Sequence, residues 1–545
     1  MAADDHARRL TLVDAVCLVV SSLLGCATRL WNLHLPATPV YDETHVGRFL
    51  NWYHDRAFFF DLHGPLSKLL IYWTATALGF EGRKSCPYES TQPYAADCSL
   101  APQRLVPALC GACMVPLTFA TCRAMRLAPL AALLCTWLVL VDTLFISLSR
   151  VHMNDMVQTL FIALTHLLAL RACAPPSSAW WLAATGTALG CALQCKFAMA
   201  LTTTAWLGLM NLLVLAEVAY SEASAGLRAA FKRVLKEALM RGLLLLGIPI
   251  LIHLALLRVH LSYLPNSGNG DNYMTAEFQS TLIGNKHYDA AQDDHKRPSF
   301  ALVAIEHLRT QFWYNRNMAV LFPRGSHPFD TPWYTWPVAM RGVYASLVKD
   351  WYKIAEAVDE KHSFGVYLHP TPHIVLLTTA SIAIALIALA LLTLRAKFAW
   401  MTRRWSSESG KARADAVLSD WVGSLRPGGS GSLAIAYLLH LLPYATQERQ
   451  TFLLYYLPAY YFAVLAFGKL WHECACVHLR PTVCLIATIA LCGAIGRVAW
   501  YLSPIAYGSK VLVQEWNDRL RYASTECWPY SFPQEPCWVD VDQKE

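Results

Sequence analysis

The sequence predicts an all-α polytopic membrane protein, and three observations carry that prediction. Apolar side chains make up 55% of the 545 residues and charged ones only 15%, whereas soluble domains carry about 25% charged residues. The apolar residues gather in runs of about 17 to 25, the length that crosses a hydrocarbon layer. Basic residues collect at the ends of those runs, and 19 Trp and 24 Tyr are available for interfacial belts. A net charge of +7 distributed this way reads as an orientation bias rather than as a nucleic-acid-binding surface, so no nucleic-acid partner is expected.

Eleven runs read as spans: 11–33, 104–122, 127–147, 152–171, 178–195, 198–217, 243–263, 371–394, 431–446, 451–470 and 480–502. The run 65–80 is short and contains Lys68. Counted as a span it would move Arg228, Lys232, Arg233, Lys236 and Arg241 to the outer side, so it reads as an amphipathic or re-entrant helix on that face. Arg123, Arg126, Arg171 and the blocks 228–241 and 395–404 then share the cytosolic side. The N-terminus is expected in the cytosol, the C-terminus outside, and the first span as a retained signal-anchor. The chain divides into 1–263 with an outer loop at 34–103, an outer loop at 264–370, spans over 371–502, and an outer tail at 503–545. The stretch "SGKARADAVLSDWVGSLRPGGSGS" (409–432) reads as a flexible cytosolic linker.

Most of the 17 Cys lie in spans, where they act as small apolar residues. The outer loops hold four, Cys86, Cys98, Cys527 and Cys537, as two local pairs. An oxidising compartment would close them as Cys86–Cys98 and Cys527–Cys537; the alternative is four free thiols. Cys474-x-Cys476 lacks further ligands, and no metal is expected.

Charge near a bilayer is costly and marks function. Asp42, Glu43, Arg104, Arg150, Asp155, Lys196 and Arg449 all fall on the outer side of this topology. Paired acids suggest a general base, and cations at span ends suggest a held lipid phosphate. The alternative for Asp42 and Glu43 is a pair of charges in the first turn of a helix over 43–57. The neighbouring Trp52, Tyr53, Phe58, Phe59 and Phe60 read as interfacial anchors rather than a sugar platform.

Five stretches carry a resemblance. "YDETHVGRFLNWYHDRAFFFDLHGPLSKLL" (41–70) resembles the first luminal loop of protein O-mannosyltransferases, with its Asp-Glu pair and Asp-x-His…Lys-Leu-Leu segment. "LPNSGNGDNYMTAEFQSTLIGN" (264–285), "HPFDTPWYTWPVAMRGV" (327–343), "QCKFAMAL" (194–201) and "RQTFLLYYLPAYYF" (449–462) are similar to later family segments, in order. The resemblance implies a GT-C fold with luminal amphipathic helices. It also implies inverting transfer of mannose from dolichyl phosphate mannose to Ser or Thr hydroxyls of secretory proteins. It places the chain in the endoplasmic reticulum membrane, with the lipid donor as substrate, no cofactor, and a related subunit as a dimer partner. It makes Asp42 the catalytic base and Glu43 a second acid orienting sugar or acceptor. Arg104 in "PQRLVPAL", Lys196 and Arg449 would bind the donor phosphate; His63, Arg150 and Asp155 would order the site.

Two departures stand out. The family's His-Pro-Pro is His63-Gly64-Pro65 here, expected to loosen the turn before the outer-face helix. Eukaryotic members carry a β-trefoil MIR domain after the "LIGN" segment, and the short stretch between Asn285 and His327 cannot hold one. Three other readings compete: a related polyprenyl-phosphate-sugar transferase with another sugar or acceptor; a polytopic transporter, whose charges would line a path at mid-bilayer depth; and a catalytically dead scaffold subunit, against which retention of both acids and the basic residues argues.

Overall fold

The computed structural model describes residues 11–523 apart from 38–39, 85, 89–97, 175–177, 289–296, 328–329, 345–361, 364–365 and 404–405. Among the described residues strand is limited to two antiparallel ladders, Val343–Tyr344 with Tyr367–Leu368 and His362–Ser363 with Val511–Leu512. The rest of the regular structure is helix.

All eleven apolar runs are helical. By length and composition, eight helices among the described residues can cross a membrane, or nine if one bent pair counts as a single span. The runs at 178–195 and 431–446 form Ala179–Leu193 and Ser430–Leu441, of 15 and 12 residues. At about 1.5 Å per residue these are short for a hydrocarbon core of about 30 Å, so the expected eleven is not reached on this criterion. The bent pair is Pro129–Val141 and Thr143–Ser149, inclined at 56°. Asp142 breaks the run: its carboxylate accepts from the Leu144 and Phe145 N–H groups at 3.0 and 3.1 Å, capping a new helix. The same carboxylate accepts from Thr371 N and Tyr460 Oη, both at 2.8 Å, tying the bend to two other elements.

The expected linker over 409–432 is instead largely helix, Glu408–Leu425. Ser407 caps its start, Ala and Leu favour helix within it, and Arg426-Pro427-Gly428-Gly429 stops it. Trp421 Nε1 donates to Thr393 Oγ1 at 3.0 Å, docking it on Pro372–Arg403.

The main core surrounds Leu457–Trp471, where every residue from Leu457 to Gly468 is buried. A helix apolar on all sides belongs at such a centre. A second core lies beneath the loop that follows the first helix, which folds as Glu43–His54 and Leu66–Ala77. Tyr53, Phe58 and Phe59 are fully buried in it with Met274 and Phe278, so they are packing residues rather than interfacial anchors. The segment after Tyr263 passes over Phe58 so closely that a Cβ on Gly268 would stand 2.2 Å from the Phe58 carbonyl oxygen. This accounts for a glycine in "NSGNGDN". A Cys86–Cys98 disulfide, with Cα atoms 5.0 Å apart, closes the far end of the loop. The pair Cys527–Cys537 lies outside the described residues.

Candidate active site

A cavity of about 730 Å³ opens where the loop carrying Glu43–His54 meets the ends of the central helices. Tyr41, Asp42, His45, Phe49 and Trp52 form one wall, and Phe60 and His63 continue it. Asp155, Lys196, Arg449 and Tyr455 also line the cavity, with Tyr273 and Tyr314 at its margin.

Asp42 and Glu43 are neighbours with opposite surroundings. Asp42 occupies the N-cap position of Glu43–His54, yet its side chain makes no capping hydrogen bond. It opens onto the cavity instead. The preceding residue, Tyr41, is held at φ +52°, a left-handed conformation costly for a side chain of its size, and its ring packs edge-on against Phe452 at 5.5 Å. That turn aims Asp42 inward. The protein walls around Asp42 push its pKa above the usual carboxylate value, with Asp155 adding to the rise and His45 and Lys196 opposing it. Because the carboxylate faces cavity water, the rise is smaller than in a sealed site.

Glu43 is fully buried, and here two expectations are corrected. Arg104 donates to it through Nε at 2.8 Å and Nη2 at 2.7 Å, and the N–H groups of Val40 and His152 add bonds of 2.9 and 3.0 Å. Burial alone would raise the Glu43 pKa, but Arg104 and His152 hold it well below the carboxylate range. With all its acceptor capacity used inside the protein, Glu43 does not reach sugar or acceptor. Arg104 is likewise sealed, spending its remaining donors on the Leu33 and Pro36 carbonyls at 3.3 and 2.9 Å. It cannot grip a phosphate. The pair fixes the loop that presents Asp42.

Lys196 and Arg449 do meet at the cavity. Lys196 Nζ donates to Asp155 at 3.0 Å and lies 4.5 Å from the centre of the Tyr455 ring. Arg449 Nη2 donates to the Tyr455 hydroxyl at 3.3 Å, and Arg449 Nε has no partner among the described residues. Asp330 steadies this strand of chain by accepting from Thr451 N at 2.7 Å. His63 is on the same cavity; burial pushes its pKa down to about 3 despite Asp61, so its ring stays neutral. Arg150 stands elsewhere. It donates to the carbonyls of Arg29 and Asn32 at 3.2 and 2.9 Å and stacks on Tyr507, ordering the end of the first helix.

Gly64 does not loosen the turn. A Cβ there would stand 2.4 Å from the Gln194 carbonyl oxygen, and Leu66 N donates to that oxygen at 3.0 Å. The close approach binds the first loop to the segment carrying Lys196. Sequence reasoning also missed the Asp61–Lys68 ion pair, Tyr455 and the cavity-lining Trp52 and Phe60. The seven-residue spacing of Asp61 and Lys68 on either side of a helix start was the available signal for the first. Among the described residues, no group of three or more His, Cys, Asp or Glu is arranged to hold a metal ion.

The fold is of the GT-C class. It superposes on a solved S. cerevisiae protein O-mannosyltransferase Pmt1-Pmt2 complex bound to the sugar donor with a TM-score of 0.76, covering 94% of this chain and 93% of that one at 18% identity. The family model for dolichyl-phosphate-mannose-protein mannosyltransferase matches residues 19–265, and that for the C-terminal four-helix region of protein-O-mannosyltransferase matches 305–524. The chain belongs to the protein O-mannosyltransferase family. Similar curated proteins include Protein O-mannosyl-transferase 2 of Drosophila melanogaster, 28% identical over 56% of this chain. Dolichyl-phosphate-mannose--protein mannosyltransferase 4 of Saccharomyces cerevisiae is 29% identical over 55%. The matched regions take in 40% of the length of each of these two relatives.

Proposed function

We propose that the protein transfers mannose from dolichyl phosphate mannose to Ser or Thr hydroxyls of polypeptides, at the luminal face of the endoplasmic reticulum membrane. The observation that carries this reading is the distribution of partners among the three acids lining the cavity. Asp61 is engaged by Lys68 and Asp155 by Lys196, and among the described residues the Asp42 carboxylate makes neither a capping hydrogen bond nor a salt bridge. One unengaged carboxylate on a cavity that also holds two cations suits a single displacement.

In that step the acceptor oxygen attacks C1 of mannose and the bond from C1 to the phosphate oxygen breaks. Asp42 takes the hydroxyl proton, and the lipid phosphate leaves with its charge met by Lys196 and Arg449. A β-linked donor gives an α-mannoside. The raised pKa of Asp42 suits a base that must compete for a hydroxyl proton near neutral pH. Asp155 orients Lys196, and neutral His63 shapes the wall beside it. The names of the curated relatives, two mannosyltransferases, support the choice of donor and acceptor. The two-subunit S. cerevisiae neighbour supports a related protein as dimer partner. The N-terminus lies in the cytosol and the C-terminus in the lumen on this reading.

The test is transfer of radiolabelled mannose from dolichyl phosphate mannose to a Ser/Thr peptide by microsomes containing this chain. The expected result is labelled peptide with the native chain and loss of label with Asp42→Asn. Absence of label with the native chain and its partner overturns the reading.

A further inference from the structure

A second cavity, of about 500 Å³, adjoins the first, and Trp52 and Asn269 line both. The helix Glu43–His54 is the partition between them. His45 and Phe49 face the central cavity, while Arg48 and Asn51 face the side cleft. Asn51 is only 2% exposed; its amide N–H groups reach the Cys86 and Pro87 carbonyls at 3.0 and 3.2 Å, and its Oδ1 has no partner among the described residues. Arg48 is half-buried and donates through Nε to the Tyr88 carbonyl at 3.0 Å, which orients the fork at the cleft wall. Arg83 lines the same cleft, bridged to Asp55 at 2.8 Å.

We propose that this cleft receives the acceptor polypeptide on one side of its target residue, and that Arg48 selects an acidic side chain there. The proposal rests on the transfer reading above. A polypeptide acceptor puts one hydroxyl beside Asp42, and the rest of its chain must leave by an opening continuous with the cavity. The side cleft adjoins the cavity across Trp52 and Asn269, which line both, and is the space next to it that such a chain would enter. Arg48 lies six residues along the helix from Asp42, about 9 Å of axial rise. An extended chain covers that in about three residues at roughly 3.3 Å each. A guanidinium fork, held at its Nε by a backbone carbonyl, matches a carboxylate and repels a lysine, while Arg83 already has its charge met by Asp55. The donor phosphate has its own cations, Lys196 and Arg449, so Arg48 is not needed for the lipid.

The test uses the full-length chain in microsomes with dolichyl phosphate mannose and peptides of one Ser each. The peptides differ only three residues before or after the Ser, which is Glu, Ala or Lys. On one side of the Ser, kcat/KM for the Glu peptide should exceed that for Ala by about fivefold, the scale of a partly exposed ion pair, with Lys below Ala. Arg48→Glu should reverse the order of Glu and Lys. The preference of the native chain should shrink as salt is added, a readout that needs no variant to fold. Equal transfer to all three peptides, or a preference indifferent to salt, overturns the proposal and leaves the mannosyltransferase reading standing. No transfer to any peptide overturns both.

Discussion

Arg104 holds both carboxylate oxygens of Glu43, at 2.8 and 2.7 Å, where neither side chain meets solvent. Removing one partner strands the other's charge in the interior, which typically costs about 3–5 kcal/mol. Glu43→Gln and Arg104→Met should each lower the thermal stability of the purified protein, and the double substitution should recover part of the loss. Melting in detergent measures this. Either single variant melting like the native chain would contradict the structural assignment.

Asp42 should separate from that pair. Asp42→Asn keeps its shape and touches no capping bond, so stability should be nearly unchanged. Transfer should fall by about 10²–10⁴, the usual cost of losing a general base. Binding of the lipid donor should persist. Initial rates and donor binding on one preparation decide the point, and near-native rates from Asp42→Asn would remove the carboxylate from the mechanism.

Lys196→Ala should act on the donor. Loss of a charged hydrogen-bond donor to phosphate typically costs about 1.5–3 kcal/mol, roughly tenfold or more in affinity. The expected signature is a raised KM for dolichyl phosphate mannose with a smaller change in KM for the peptide. An effect confined to the peptide would place the phosphate elsewhere.

Acid should affect activity before it affects stability. The folded pKa of Asp42 lies above its ordinary 3.8, so the base protonates, and transfer declines, as pH falls through that raised value. Glu43 has the opposite sign. Its folded pKa lies below its ordinary 4.5, so its pairing stabilises the protein fully above that value, and the contribution drains away as pH falls below it. Rates and melting temperatures measured together, from neutrality through the carboxylate range, should show the rate falling first. Coincident loss of both would mean that unfolding, not Asp42, sets the acid limb.

Much of this was legible in the chain. Long apolar runs give helices because a hydrocarbon layer tolerates little else. The motif segments 41–70, 194–201 and 449–462 do converge on one cavity. What the sequence could not separate was Asp42 from Glu43. Successive helical residues point about 100° apart, and only the distant Arg104 decides which of the two is sealed. Arg104 itself reads as a free cation until its partner is known. The break at Asp142 was hidden because an acid in an apolar run signals either a polar path or a cap, and the choice lies with Thr371 and Tyr460, far along the chain. The helix Glu408–Leu425 was hidden by flanking Gly and Ser, although its own residues favour helix.

The contact of Gly64 with Gln194 has a consequence for the size of what the site accepts. Backbone meets backbone there, two residues before Lys196, with no side chain between to bend or swing aside. The acid-bearing loop and the cation-bearing segment are thereby set at one spacing, like the jaws of a fixed gauge. On the proposed transfer reading, a sugar bulkier than the one that fits this gap gains no room from that contact.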